Sequence, residues 1–168
     1  MFFLKDLPTD MSLQEFSRRY PNMNPSALKT CAELMRTGSD LLAVFETVLG
    51  RYGLSQGRLL VLIVMNRTPH EALNPSFLAE KLGVARATIT GLLNGLETGN
   101  FIERVADARD RRRIRVRLTP EGRKVLEKLL PDYYRCMAKL TVSLSENERQ
   151  TMLSLLAKIN QKLNSVFN

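Results

Sequence analysis

Val84 and Ala85 are all that separates the glycine ending one short helical segment from the first turn of the next. The first segment, "NPSFLAEKLG", has Asn74 as its cap, Pro75 in its first turn and Gly83 as its stop. The second, "RATITGLLNGLETGNF", carries Ile89, Leu92, Leu93 and Leu96 as a one-sided apolar stripe, and Gly99 ends it. A link this short keeps the two helices adjacent, so their apolar faces must share a core. The pair reads as a helix-turn-helix.

Upstream, the spacing predicts a short helix over 13–20 that ends before Pro21. A longer helix opens at Asn24 and Pro25 and runs about 28 residues toward Gly53, with Leu28, Leu34, Met35, Leu41, Leu42, Phe45, Val48 and Leu49 at helical spacing. Another starts at Ser55 and continues through "QGRLLVLIVMNR", apolar almost throughout and so buried on most sides. Beyond Gly99 the period changes to two. The strands "FIERV" and "RIRVRL" flank a tip, "ADARDRR"; in the second strand Ile114, Val116 and Leu118 share one face and Arg113, Arg115 and Arg117 the other. Thr119-Pro120-Glu121 restarts a helix toward Leu140, with a bend expected at Pro131. Ser145 and Glu148 form a capping box that opens the last helix.

The expected fold is therefore mainly α, a winged helix-turn-helix with a two-stranded β-wing and long N- and C-terminal dimerisation helices. Residues 1–52 form an N-terminal extension and first dimerisation helix, 53–120 the winged domain, and 121–168 the C-terminal dimerisation helices. Leu126, Leu129, Leu130, Tyr133, Met137, Leu153, Leu156, Ile159 and Leu163 exceed what one winged domain can absorb, and a homodimer is expected to take them.

Charge narrows the function. Lys+Arg 25 against Asp+Glu 17 leaves a formal +8, which favours polyanionic partners. The excess is concentrated: Arg104, Arg109, Arg111, Arg112, Arg113, Arg115 and Arg117 face, on this reading, only Asp107 and Asp110. Like charges so close repel unless something negative sits against them. The two aspartates are expected to structure the wing, with Asp110 holding Arg112. Arg109 or Arg111 at the tip would enter a minor groove, and Arg112 and Arg113 complete the basic DNA-binding set. Opposite the stripe of the helix 86–98 lie Ala87, Thr90, Gly91 and Asn94, flanked by Arg86 and Thr88. Small residues there allow close approach to a major groove, and the polar groups can meet base edges or phosphates.

Other classes find little support. Cys31 and Cys136 lie in separate helical segments and make no disulfide framework. His70 is the only histidine and has no ligand at metal spacing, so no metal is expected. No phosphate-binding loop or nucleophile–base pair marks an enzyme, and no cofactor is expected. The run "LLVLIVM" at 59–65 is too short for a bilayer and the opening residues do not resemble a secretory signal. A cytoplasmic protein, nucleoid-associated when bound to DNA, is expected.

The stretch "LAEKLGVARATITGLLNGLETGNFIERVADARDRRRIRVRLTPEG" resembles the MarR family of bacterial transcriptional regulators. The likeness is carried by the helix ending in leucine-glycine, by "RAT", and by Asp107, Arg109, Asp110, Arg112, Val116, Leu118, Thr119 and Gly122 in the wing. It implies an obligate homodimer with intertwined terminal helices, bound to a palindromic operator, commonly as a repressor. It also implies release by a small aromatic or anionic effector, for which Phe45, Tyr52 and Met65 are the candidate pocket lining. Two positions depart from the family pattern: Ala85 replaces the usual polar cap, at a cost of about 1 kcal/mol, and Gly91 replaces a larger polar side chain. The peroxide-sensing branch oxidises a first-helix cysteine supported by tyrosines. Cys31 lies in the matching helix, but Phe45 and Leu59 stand where the tyrosines belong, so Cys31 is read as core packing. The rival readings are a non-specific architectural DNA binder and a winged-helix protein-interaction module.

Overall fold

Most helix starts are set by side chains that satisfy the first unpaired N–H groups. In the computed structural model, which describes residues 7–107, 110, 113–163 and 165, Thr9 accepts from the Ser12 N–H and opens α1, Asp10–Arg19. This helix starts earlier than the expected 13–20 because Thr9 caps it and Asp10 complements its first turn. Asn24 accepts from Ala27 and opens α2, Pro25–Gly50; Gly53, at φ +69, completes the turn that follows. Ser55 opens α3, Gln56–Asn66, and Asn74 opens α4, Pro75–Leu82, which closes on left-handed Gly83. α5 spans Arg86–Thr98. Gly99 ends it as expected, with ordinary backbone (φ −78), and the left-handed turn follows at Asn100, φ 63.

β1, Ile102–Ala106, pairs antiparallel with β2, Ile114–Leu118, with Ile102 opposite Leu118 and Ala106 opposite Ile114. Leu73, expected in a plain loop, adds a bridge to Val116: each residue's N–H donates to the other's carbonyl, at 2.8 and 2.9 Å. Val116 and Leu118 are buried, but Ile114 is 48% exposed, so the apolar alternation stops before the ribbon's outer end. α6, Pro120–Leu140, runs through Pro131, and α7 spans Glu146–Leu163. No helix among the described residues is long and apolar enough to cross a membrane.

The chain divides into two compact units, Met1–Leu126 and Glu127–Asn168. The first unit packs α3 against α2, α4, α5 and β2, and α5 against β1. Leu49, Leu59, Leu62, Met65, Leu78, Ile89, Leu93, Leu96, Ile102 and Leu118 are almost fully buried in it. Each such side chain contributes about 1.5–3 kcal/mol. Thr119 and Gly122 join β2 to α6. The Thr119 N–H donates to the Phe101 carbonyl, its hydroxyl donates to the Asn100 carbonyl at 2.7 Å, and it accepts from the Gly122 N–H at 3.0 Å. Thr119 therefore caps α6 while holding the turn before β1.

In the second unit Leu129 and Tyr133 are buried, whereas Met137, Leu153, Ile159 and Leu163 are exposed and α7 has no buried residue. Ser145 and Glu148 make the capping box: the Ser145 N–H donates to Glu148 at 2.7 Å and the Glu148 N–H donates to the Ser145 hydroxyl at 3.3 Å. Cys31, read as core packing, is instead exposed on α2; Cys136 is half-buried. The apolar residues around Cys31 lie on a helix longer than the first unit's core covers, so helical position alone misplaced it.

A methyl group on Gly122 would lie 2.1 Å from the Phe101 carbonyl oxygen and 2.8 Å from Leu118 Cδ1. Gly122→Ala is expected to destabilise the first unit by about 1–3 kcal/mol. A urea midpoint equal to the parent's would show that these segments separate at no cost. The capping box also has a pH signature. Hydrogen bonds from the Ser145 hydroxyl and N–H hold the Glu148 carboxyl below its ordinary 4.5. A lowered folded-state value stabilises above the ordinary value and is lost as pH falls through the lowered one. Helicity at the start of α7 should therefore fall on acidification, and Ser145→Ala, which keeps the N–H but loses the hydroxyl, should shrink that acid step in residue-resolved hydrogen exchange.

Candidate nucleic-acid interface

Burial of Ile89, Leu93 and Leu96 sets the rotation of α5, because at 100° per residue the remaining positions must point outward. Arg86, Ala87, Thr88, Thr90, Gly91 and Asn94 are all exposed on that outer side. A Cβ on Gly91 would meet nothing within 4 Å, so this part of the helix is open to a close partner. Ala85 supplies no side-chain cap, leaving first-turn N–H groups to water or an anion.

Two of these polar groups are already oriented. The Thr90 hydroxyl donates to the Arg86 carbonyl at 2.9 Å, so its lone pairs are what it offers outward. Asn94 Oδ1 accepts from Arg104 Nη2 at 2.6 Å, and Arg104 Nη1 lies 3.4 Å from Glu97 Oε2. A guanidinium can only donate, so this contact fixes the Asn94 amide and leaves its N–H groups as donors. Arg104 was not among the sequence-derived candidates. The signal that could have found it is its place on β1, the strand packed against α5.

The wing is organised around Asp107, whose side chain is buried to 8% exposure. Its carboxylate accepts from the Arg115 Nε–H in a short contact, and Arg115 Nη1 donates onward to the Ala72 carbonyl at 3.2 Å. Asp107 Oδ1 also faces the Asp110 N–H, and the Arg113 N–H donates to the Asp110 carbonyl. These bonds tie the base of the wing to the segment before α4. The Asp110 carboxylate lies 3.3 Å from Arg113 Nε; Arg112, its expected partner, lies outside the described residues.

The charge imbalance inferred from sequence needs correction. Arg117 pairs with Glu103 directly across the ribbon at 2.9 Å, and Arg104 pairs with Glu97. With Asp107 and Asp110, all four described arginines of the ribbon meet a carboxylate. Counting only the two aspartates overlooked glutamates supplied by α5 and β1. The surplus that remains in the sequence belongs to Arg109, Arg111 and Arg112, which lie outside the described residues.

Of the candidate effector lining, Met65 is packed in the core, while Phe45 and Tyr52 are half-buried at the end of α2 and just beyond it. His70 Nδ1 lies 3.5 Å from Arg123 Nη1. Among the described residues no three His, Cys, Asp or Glu side chains converge in a way that could hold a metal ion.

Replacing Asp107 by Asn would remove the charge that neutralises the half-buried Arg115. Hydrogen bonds to charged groups are worth about 1.5–3 kcal/mol, and the loss should appear as faster amide exchange at Arg113 and Val116. Unchanged exchange at both positions would mean that the wing is held by backbone pairing alone.

The comparisons with known proteins agree with this geometry. A profile of the MarR family matches residues 52–113. The transcriptional repressor YetL of Bacillus subtilis is 30% identical over 164 residues, covering 98% of each chain. The crystal structure of the MepR–DNA complex of S. aureus superposes with a TM-score of 0.68 at 22% identity, covering 79% of this chain and 95% of that one, and shows the shared fold. The transcriptional repressor CouR, solved on a 23-mer DNA duplex, is 26% identical with a TM-score of 0.67, over 77% of this chain and 90% of that one. With its winged helix-turn-helix and an alignment that runs nearly end to end, the chain belongs to the MarR family of transcriptional regulators.

Proposed function

We propose that this regulator binds double-stranded DNA as a homodimer on a pseudo-palindromic operator and represses transcription. The observation that carries the reading is the outer face of α5. Six small or polar residues, Arg86, Ala87, Thr88, Thr90, Gly91 and Asn94, are exposed together on a helix held at the edge of a winged core. In this reading α5 enters a major groove, where Thr90 accepts and Asn94 donates, and the wing tip with Arg109, Arg111 and Arg112 meets phosphates and a minor groove. Arg113, 71% exposed beside Asp110, sits at the wing's edge and joins the phosphate set. YetL and CouR, both repressors by name and one of them solved on duplex DNA, support the direction of control.

The homodimer is supported by apolar surface. α7 carries exposed Met152, Leu153, Leu155, Ile159 and Leu163, and α2 carries exposed Leu28, Leu34, Met35 and Leu42. Apolar patches of this kind rarely stay in water on a monomer. Covered in this way, Cys31 on α2 would be shielded by a partner rather than by its own core. A small aromatic or anionic effector is proposed to act at Phe45 and Tyr52, the half-buried members of the candidate lining, whose third member, Met65, is buried.

Phosphate contacts make affinity salt-dependent, so raising salt from about 50 to 200 mM should weaken duplex binding by roughly 10³- to 10⁵-fold. A flat response in a fluorescence titration would sink the DNA reading. Arg109→Ala with Arg111→Ala should weaken all duplexes alike, whereas Thr88→Ala or Asn94→Ala should change which sequences are preferred. Selection from random genomic fragments should enrich a two-fold-symmetric sequence. Recovery without any consensus would favour an architectural binder, and no recovery a protein-interaction module. Sedimentation at micromolar concentration should give a dimer, and a stable monomer there would refute the assembly.

A further inference from the structure

Arg58 is the second residue after Gln56 in α3, and its backbone N–H lies 3.4 Å from the Ser55 capping hydroxyl. Its side chain lies across α5. A Cβ on Gly95 would be 2.3 Å from Arg58 Nη2 and 2.6 Å from both Cζ and Nε, so the guanidinium occupies space that only a glycine leaves. A second glycine permits the approach: a Cβ on Gly57 would lie 2.9 Å from Leu92 Cδ2. Two glycines thus leave room for Leu92 and for the arginine head where α3 meets α5.

This placement is costly. The residue is half-buried, and its guanidinium lies against α5 at Gly95. It stands in the first turn of a helix, where a cation opposes the macrodipole. Among the described residues no carboxylate, carbonyl or hydroxyl bonds the guanidinium; the nearby Glu46 carboxylate accepts from the Gln56 N–H instead, at 2.9 Å. Arg104, on the opposite flank of α5, shows the contrast, since it is matched by Glu97 and Asn94.

The position explains what the missing partner would be. Gly95 lies one helical turn beyond exposed Gly91, on the shoulder between the outward face of α5 and its buried stripe. We infer that Arg58 is a DNA-phosphate contact that extends the interface along the α3 side of α5, an inference that rests on the duplex-binding reading above. Gly95 and Gly57 are then the residues that hold this cation against the recognition helix.

The test uses the full chain and a labelled mixed-sequence duplex of defined length, titrated across a salt series. Arg58→Met keeps the apolar stem and removes the charge; Arg58→Lys keeps a charge. Losing one phosphate contact per protomer, two in the dimer, should lower the slope of log affinity against log salt by about 2 and weaken binding to every sequence to a similar degree. The Lys variant should keep the parent's slope, and neither variant should melt below the parent. A Met variant with the parent's slope would overturn the assignment. So would a Met variant that fails to fold, because the charge would then belong to the packing of α3 on α5. If the parent itself binds no duplex, the functional reading fails, an outcome distinct from either of these.

Discussion

The rotational setting of α5 governs everything the first unit presents to its surroundings. Ile89, Leu93 and Leu96 are buried against α3, α4 and the ribbon, and once they are, the outward set from Arg86 to Asn94 follows from helix geometry. The chain spends its glycines around this helix. Gly83 turns α4 toward it, Gly57 and Gly95 leave room for Leu92 and Arg58 where α3 packs on it, and Gly91 leaves its outer surface bare. A helix packed this closely has little freedom to roll, and side chains on a rigid element hold their directions more firmly than side chains on a loop.

Charge in the ribbon serves two ends that the sequence merges. At its base, carboxylates from three elements pin arginines: Glu97 of α5 and Glu103 of β1 hold Arg104 and Arg117, and Asp107 holds Arg115 under the wing. The exposed members of these pairs contribute little stability on their own. Asp107 differs, because it is buried and its partner is tied further to the Ala72 carbonyl. Leu73 adds its bridge to Val116 beside that link, so the wing is anchored by both ion pair and backbone. Asp107, one residue of the family motif, thus has a mechanical role at the base of the ribbon. Through Arg115 it ties β2 to the segment before α4.

The threonine and glycine that close the motif are equally structural. Thr119 bonds the turn before β1 and caps α6, and Gly122 lets α6 start against the Phe101 carbonyl. Both are held by backbone contacts: Thr119 through its hydroxyl, Gly122 through the space a side chain would fill. α7 is different in kind. It has good caps and ion pairs, such as Arg149 with Glu146 at 2.8 Å, yet buries nothing. Its helical form is local, and its apolar residues Met152, Leu153, Leu155, Ile159 and Leu163 are exposed.

Much of this was legible from the chain alone. Caps at Asn24, Ser55, Asn74 and Ser145 and stops at Gly53 and Gly83 act over a few residues, so sequence determined the helices from α2 onward, the ribbon and the family. Periodicity likewise determined the buried stripe of α5. Tertiary structure alone decided which charges are neutralised, because Glu97 meets Arg104 only when a helix and a strand pack side by side. It decided that Ile114 and Cys31 are exposed, since a residue's spacing fixes its face but not whether anything covers that face. And it alone placed Arg58 over Gly95, two residues far apart in sequence and joined only by the packing of α3 on α5.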